Sequence, residues 1–138
     1  MAILAGDVAV DDRGKVTFVN DFDFKDVKRF YMVENHRANF VRAWHGHKKE
    51  GKYVFVVQGA AIVAWTPIEG VWSMDRVVLS ADKPQVLFIP AGYYNGFKTL
   101  TDDTKVMFFS TSTVEESKDD DIREQPYKWN GIWEIKER

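Results

Sequence analysis

Two histidines sit two residues apart in His45-Gly46-His47, and they are the groups of this chain best suited to proton transfer. In an extended strand, residues two apart point to the same face, so both imidazoles meet the interior or solvent together. Strict alternation would send Arg42 and Trp44 to the opposite face from His45. A bulge near Gly46 would change that, because an isolated glycine inside a strand often marks one. A histidine titrates near neutrality, and a pKa near 7 would suit His45 to general-base work. Lys52 follows shortly and can stabilise a developing oxyanion or enolate. A tyrosine can return a proton to a carbanion, with Tyr31 the first choice and Tyr94 and Tyr53 behind it. Arg42 and Arg13 carry guanidinium groups that fit phosphate oxygens bidentately. The plainer alternative is a pair of structural histidines satisfied in a core, with the tyrosines as packing and the arginines in surface ion pairs.

The elements that must hold these groups read as strands. Short runs rich in Val, Ile, Phe, Tyr and Thr recur between turn residues: Lys15–Asn20, Lys28–Glu34, Asn39–His47, Lys52–Gln58, Ala60–Trp65, Asp75–Leu79, Pro84–Ile89 and Lys105–Ser112. Many short strands at close spacing point to a sandwich or barrel. Asp21–Val27 reads as a loop or one helical turn. From Glu115 to Glu124 the chain is EESKDDDIRE, which reads as a solvated loop or short surface helix. The segment 113–138 is thus a charged and then aromatic tail. Tyr127, Trp129 and Trp133 in it imply docking on the body or on a partner subunit, because exposed rings in that number are a liability.

With 138 residues, 1–138 is expected to form one domain with a single core. The formal net charge of −2 provides no basic field for nucleic acid. The absence of cysteine excludes disulfides and thiolate metal sites. No apolar run approaches the ~20 residues of a membrane span, and Met1 to Val10 lacks the basic start of a signal peptide. The expectation is a cytoplasmic protein that binds neither nucleic acid nor membrane.

The His-x-His pair resembles the end of the first metal-binding motif of the cupin barrel, since imidazole suits several transition metals. That motif continues with a Glu and, after six residues, a Gly. Here Gly59 is present, but Lys52 stands where the Glu would be. The second motif, Pro-x-Gly-x-x-His, reads Pro90-Ala91-Gly92-Tyr93-Tyr94-Asn95, with asparagine for the histidine. An ammonium beside a divalent ion is unfavourable, so no metal is expected.

The chain resembles the metal-free cupins that isomerise nucleotide-linked 4-keto-6-deoxy sugars. These are the dTDP-4-dehydrorhamnose 3,5-epimerases and the dTDP-sugar 3,4-ketoisomerases. The resemblance runs from about Asp11 to Phe109. It rests on Asp12-Arg13-Gly14, Lys28-Arg29-Phe30-Tyr31, Arg42-Ala43-Trp44-His45-Gly46-His47-Lys48, Lys52-Tyr53-Val54 and Ile89-Pro90-Ala91-Gly92-Tyr93-Tyr94-Asn95-Gly96-Phe97. It departs in two places. The epimerases' Tyr-Tyr pair after the last barrel strand is replaced near Ser112-Thr113-Val114-Glu115, and the acid of their Trp-Asn-Asp tail is missing from Trp129-Asn130-Gly131.

What the resemblance implies is an all-β cupin, or jelly-roll, barrel, a homodimer, and no cofactor. Its substrate would be a nucleotide-diphosphate sugar. His45 would take the proton at C3, Lys52 would stabilise the enolate, His47 would be a second acid/base or hold a hydroxyl, and Tyr31 would be the acid. Arg42, Arg13, Asn95 and Tyr94 would bind substrate. The expected activity is a 3-epimerase or 3,5-epimerase, with a 3,4-ketoisomerase or a non-catalytic sugar-binding cupin as alternatives.

Overall fold

The computed structural model describes residues 1–129 and 131–138; the Asn130 of the Trp-Asn tail lies outside the described residues. Twelve strands and one short helix follow in order. They are β1 (Ala2–Ala5), β2 (Asp7–Asp11), β3 (Gly14–Phe18), β4 (Arg29–Glu34), β5 (Val41–His47), β6 (Lys52–Gln58), β7 (Ala60–Pro67), β8 (Asp75–Ser80), β9 (Gln85–Ile89), β10 (Tyr93–Thr99), β11 (Lys105–Ser110), α1 (Val114–Lys118) and β12 (Ile122–Arg123).

Two five-stranded antiparallel sheets face each other. The first runs β1-β9-β6-β11-β4 and the second β12-β5-β10-β7-β8, while β2 and β3 form a separate hairpin. The alternation on β4, β6 and β11 decides what lies between the sheets. Val54, Val56, Val106 and Phe108 point inward and meet Val63, Leu79 and Phe97 from the second sheet. This is the jelly-roll, cupin-type barrel that the strand pattern and the resemblance led us to expect.

The second sheet is covered on both faces. Its outer face carries Trp44, Ile62, Ala64 and Tyr94, and the C-terminal tail lays Trp129, Ile132 and Trp133 over them. That explains the unbroken apolar run of β7, since a strand buried on both sides need not alternate. The tail's aromatic residues are therefore used on their own chain. The outer face of the first sheet is different: Phe24, Phe30 and Met32 are exposed there beside Phe22, Tyr53, Phe88 and Phe109.

Four strands, β1, β2, β10 and β12, went unread in the sequence. The pair β1 and β2 is short and mixed in character, and β10 holds a Gly and an Asn, both poor strand formers. The charged run holds α1, the short surface helix that was one of its two readings, capped by a reciprocal Thr113–Glu116 box, and then the unread β12, which pairs with β5.

Candidate active site

A cavity of about 320 Å³ opens at the polar end of the barrel. Each sheet supplies one wall. Arg29, Tyr31 and Lys52 come from the first sheet, and Arg42, His45, His47 and Asn95 from the second. The segment after β11 adds a third side, with Val114, Ser117, Lys118, Asp121 and Arg123.

The second wall depends on an irregularity between β5 and β10. Asn95 pairs with His45 and Phe97 with Arg42, so Ala43 and Trp44 together oppose Gly96. The extra residue is a β-bulge. It puts Arg42 on the same face as His45 and turns Trp44 to the outside, where strict alternation would have sent Arg42 away with Trp44. The bulge lies at Ala43-Trp44 rather than at Gly46. Glycine is required at position 96, because a Cβ there would fall 2.4 Å from the Ala43 Cβ.

The two histidines differ in their surroundings. The His45 ring makes no hydrogen bond to the described residues, while its backbone carbonyl accepts one from Asn95 Nδ2 at 3.2 Å. Burial first, then the Lys52 and Arg123 cations, pull the His45 pKa down to about 4. The expectation of a value near 7 is corrected: without an anion in the cavity, this imidazole is neutral throughout the neutral range. His47 is tied at both nitrogens. Its Nδ1 lies 2.6 Å from the Asp120 carbonyl and its Nε2 3.2 Å from a Glu50 carboxylate oxygen. Burial and Lys52 lower its pKa, against the pull of Glu50 and the Asp120 carbonyl.

Lys52 is 6% exposed, and burial lowers its pKa against the attraction of Glu50. Tyr31 stacks on Phe108 with ring centroids 5.1 Å apart and lies under the Arg29 guanidinium. Burial, with Glu50 next, raises its pKa, so the hydroxyl stays protonated. Arg42 stands at the mouth, its Nε donating to Asn35 Oδ1 at 2.6 Å.

Two expected substrate ligands lie elsewhere. Arg13 sits on the β2–β3 turn, exposed and paired with Asp11, and does not reach this chain's cavity. A hairpin outside both sheets gives its side chain no wall to line. Tyr94 faces outward into the Trp44 cluster, because it lies between Tyr93 and Asn95 on β10, whose side chains point inward. Tyr53, held in reserve as an acid, is likewise on the outer face, against Phe22 and Phe88. Sequence reasoning missed Arg29, Glu50, Ser117, Lys118, Asp121 and Arg123. The last four belong to the charged run read as solvated. Glu50 had a signal, a carboxylate three residues after His47 and two before the Lys52 that stands at the metal motif's Glu position.

Among the described residues, no three His, Asp or Glu side chains converge to hold a metal ion. Lys52 and Asn95 complete the ring around the histidines, and this donor set suits an anion better than a cation.

A family model described as dTDP-4-dehydrorhamnose 3,5-epimerase matches residues 2–137. Among solved structures, the rmlC epimerase of Mycobacterium tuberculosis is 23% identical with a TM-score of 0.71, covering 80% of this chain and 62% of its own. ChmJ, a 3'-monoepimerase from Streptomyces bikiniensis in complex with dTDP-quinovose, is 18% identical with a TM-score of 0.77, covering 91% of this chain and 69% of its own. QdtA, a sugar 3,4-ketoisomerase from Thermoanaerobacterium thermosaccharolyticum in complex with TDP, is 17% identical with a TM-score of 0.72, covering 89% and 87%. At these identities the likeness is one of fold. This chain spans less than two thirds of the mycobacterial epimerase's length. No curated protein sequence matches it.

Proposed function

The chain belongs to the dTDP-4-dehydrorhamnose 3,5-epimerase family, and from that premise we propose that it epimerises a nucleotide-linked 4-keto-6-deoxyhexose at C3. The observation that carries this reading is that His45 and Tyr31 stand on facing walls of one cavity. Inversion at carbon needs a base on one face and an acid on the other.

In the proposed reaction the neutral His45 takes the C3 proton. The C–H electrons form the C3–C4 double bond, and the carbonyl electrons move onto O4. The Lys52 ammonium stabilises that enolate in a partly dry site, where such a charge acts most strongly. Tyr31 then gives its phenolic proton to C3 from the other wall as the enolate electrons return to the carbonyl. Solvent removes the proton from His45 and restores the one on Tyr31. A raised Tyr31 pKa keeps the donor loaded, and a carbanion is basic enough to take the proton. Arg42 is proposed to bind the diphosphate, with Lys118 and Arg123 beside it, and Asn95 a sugar hydroxyl. We keep the cytoplasm as the proposed setting; no helix is long and apolar enough to cross a membrane among the described residues.

A second reading, 3,4-ketoisomerisation, is favoured by the His45-Gly46-His47 pair and by the fuller coverage of the ketoisomerase's length. One experiment separates the two. The protein is incubated with dTDP- and GDP-linked 4-keto-6-deoxyhexoses in deuterium oxide and the products are assigned by NMR. Epimerisation puts deuterium at C3 with inverted configuration, and also at C5 if both carbons react. Ketoisomerisation moves the carbonyl to C3 and delivers a hydrogen to C4, deuterium wherever the donating acid has exchanged with solvent. No exchange and no product would sink both readings in favour of a binding protein.

The homodimer stays part of the proposal, and the open face of the first sheet is the surface proposed for it. The tail covers its own chain, whereas Phe30 is 68% exposed on the open face of the first sheet. Aromatic surface of that kind marks an interface. Light scattering at micromolar concentration should give twice the chain mass, and Phe30→Glu should move it toward the monomer. A wild-type monomer would refute the assembly.

A further inference from the structure

The catalytic scheme above leaves one fully buried carboxylate unexplained. Glu50 has no exposed side-chain surface. One of its oxygens accepts from Ser110 Oγ and lies 3.4 Å from Arg29 Nη2. The other accepts from Ser117 Oγ at 3.1 Å and lies 3.2 Å from His47 Nε2. The carboxyl thus joins β4, β5, β11 and α1 just behind the cavity wall.

Hydrogen-bond accounting fixes the state of its partner. A backbone carbonyl can only accept, so His47 Nδ1, 2.6 Å from the Asp120 carbonyl, must carry a hydrogen. A neutral imidazole would then present a bare lone pair at Nε2 to a carboxylate oxygen that already accepts from Ser117, and the buried Nε2 would have no donor. Leaving buried polar groups in that condition is costly. A second proton between Nε2 and the carboxyl would remove that conflict, against the lowering of the ring's proton affinity by burial and Lys52.

The Asp120 end is equally fixed. Its carboxylate accepts the backbone N–H groups of Lys48, Lys49 and Glu50 at 2.8, 2.8 and 3.1 Å. The carbonyl that holds Nδ1 is thus anchored to the loop that carries Glu50, and the ring is clamped from both sides.

We propose that Glu50 is a positioning residue which locks His47 into a pair holding one shared proton, so that His47 is not a second base and His45 alone can take a proton from the substrate. The inference rests on the isomerase reading for its catalytic half only. Its structural half concerns the ionisation of His47. The charged and titratable groups that bear on that ring are Lys52 on β6, Glu50, and Asp120 after α1, with His45 on β5 coupled to it, while Arg29 on β4, Asp121 and Arg123 on β12 act on Lys52 in the same cavity.

The test uses the full chain with 15N-labelled histidine. Long-range nitrogen–proton spectra are followed from about pH 5.5 to 8.5, the range in which an ordinary histidine titrates. In the unaltered protein, His47 should keep its Nδ1 hydrogen and show no titration. In Glu50→Gln the amide can turn either its carbonyl or its NH2 to the ring, so the ring can gain or lose the proton and should titrate within the range. Glu50→Asp, which keeps the acid, should restore the silent behaviour. A merely structural role would lower the melting temperature of Glu50→Gln without changing the ionisation of His47. If His47 titrates ordinarily in the unaltered protein, or carries its hydrogen on Nε2 alone, the proposal is overturned; that measurement needs no variant to fold. The kinetic counterpart is C3 deuterium exchange. Glu50→Gln should slow it by up to about 10²-fold, the scale of a misplaced site. His47→Gln should slow it less than His45→Asn does, and an equal loss in the two would count against the proposal. Absence of exchange in the unaltered protein would overturn the isomerase reading, while the titration still decides the state of the pair.

Discussion

The two faces of β5 are built from one heptapeptide, Val41-Arg42-Ala43-Trp44-His45-Gly46-His47, and they meet different environments. The inner face offers Arg42, His45 and His47 to a cavity that carries charge. The outer face offers Trp44 and a glycine to the Tyr94 ring and to the tail tryptophans. A single bulge at Ala43-Trp44 sorts the side chains between them. The outer face is a stability element whose contacts are dispersion and burial, with Trp44 and Trp133 rings 5.0 Å apart. The inner face gives up burial energy to keep polar groups poised. The difference teaches that loss of function and loss of fold are separable on this strand, to a side chain's width.

The largest effect should come from the inner face. His45→Asn keeps size and hydrogen bonding but removes the basicity, so C3 deuterium exchange should fall by ~10²–10⁴, while nucleotide binding by calorimetry and the melting temperature near pH 7.5 hold. Full exchange in the variant would remove His45 from the mechanism. The reverse pattern belongs to the outer face. Trp133 is 4% exposed and its indole Nε1 donates to the Pro126 carbonyl at 3.0 Å. Trp133→Ala should cost about 3–5 kcal/mol in denaturant unfolding, with kcat nearly unchanged well below the melting temperature. A large drop in kcat at full folding would mean that the faces are coupled.

How far the sequence carried depends on which side of this strand one considers. The barrel was readable because Val, Ile and Phe recur with strand spacing, and six inner groups, Tyr31, Arg42, His45, His47, Lys52 and Asn95, do line one cavity. The face of Arg42 was not, since a bulge is set by the partner strand and Gly96 gives no local sign of its role. Tyr94 was misplaced because motif matching gives position along a strand, not the side on which a residue falls. Arg13 lies on a hairpin with no sheet partner in its own chain. The third side of the cavity was hidden by its own composition. Ser117, Lys118, Asp121 and Arg123 lie in a run whose charge reads as solvated, and only pairing of β12 with β5 brings it to the site.

Arg42→Ala should have a smaller effect than either change above. The guanidinium sits at the cavity mouth, steered by Asn35 Oδ1, away from the reacting carbon. A diphosphate held there is held equally in the ground and transition states, so KM should rise about tenfold and kcat change little. Replacing Asn35 by Ala should reproduce part of that rise, since the guanidinium loses its guide. A fall in kcat with KM unchanged would move Arg42 from substrate binding to the chemistry and weaken the division of labour along the inner face.

The smallest effect is one of pH, and it separates the faces without touching the reaction. His45 is held at about 4 in the folded chain by burial and the nearby cations, whereas an unfolded histidine titrates near 6.5. Above about pH 6.5 the imidazole is neutral in both states and costs nothing. As the pH falls toward 4, the unfolded chain takes up a proton that the folded chain resists, so stability is lost across that window and levels off below it. The ring is partly open to the cavity, so solvent screening keeps the loss modest. Glu116, held at about 2 by the Thr113 cap and by Lys28, does not interfere until the pH falls below its unfolded value near 4.5. The melting temperature of the unaltered protein should therefore drop from pH 7.5 to pH 5, and His45→Asn should show a shallower drop. Trp133→Ala should lower the curve by the same amount at both pH values, because the outer face holds no group that titrates there. A parallel shift in His45→Asn would mean that His45 is not the source of the pH dependence. A widening gap in Trp133→Ala would mean that the tail controls the cavity's electrostatics, and the two faces of β5 would have to be treated as one unit.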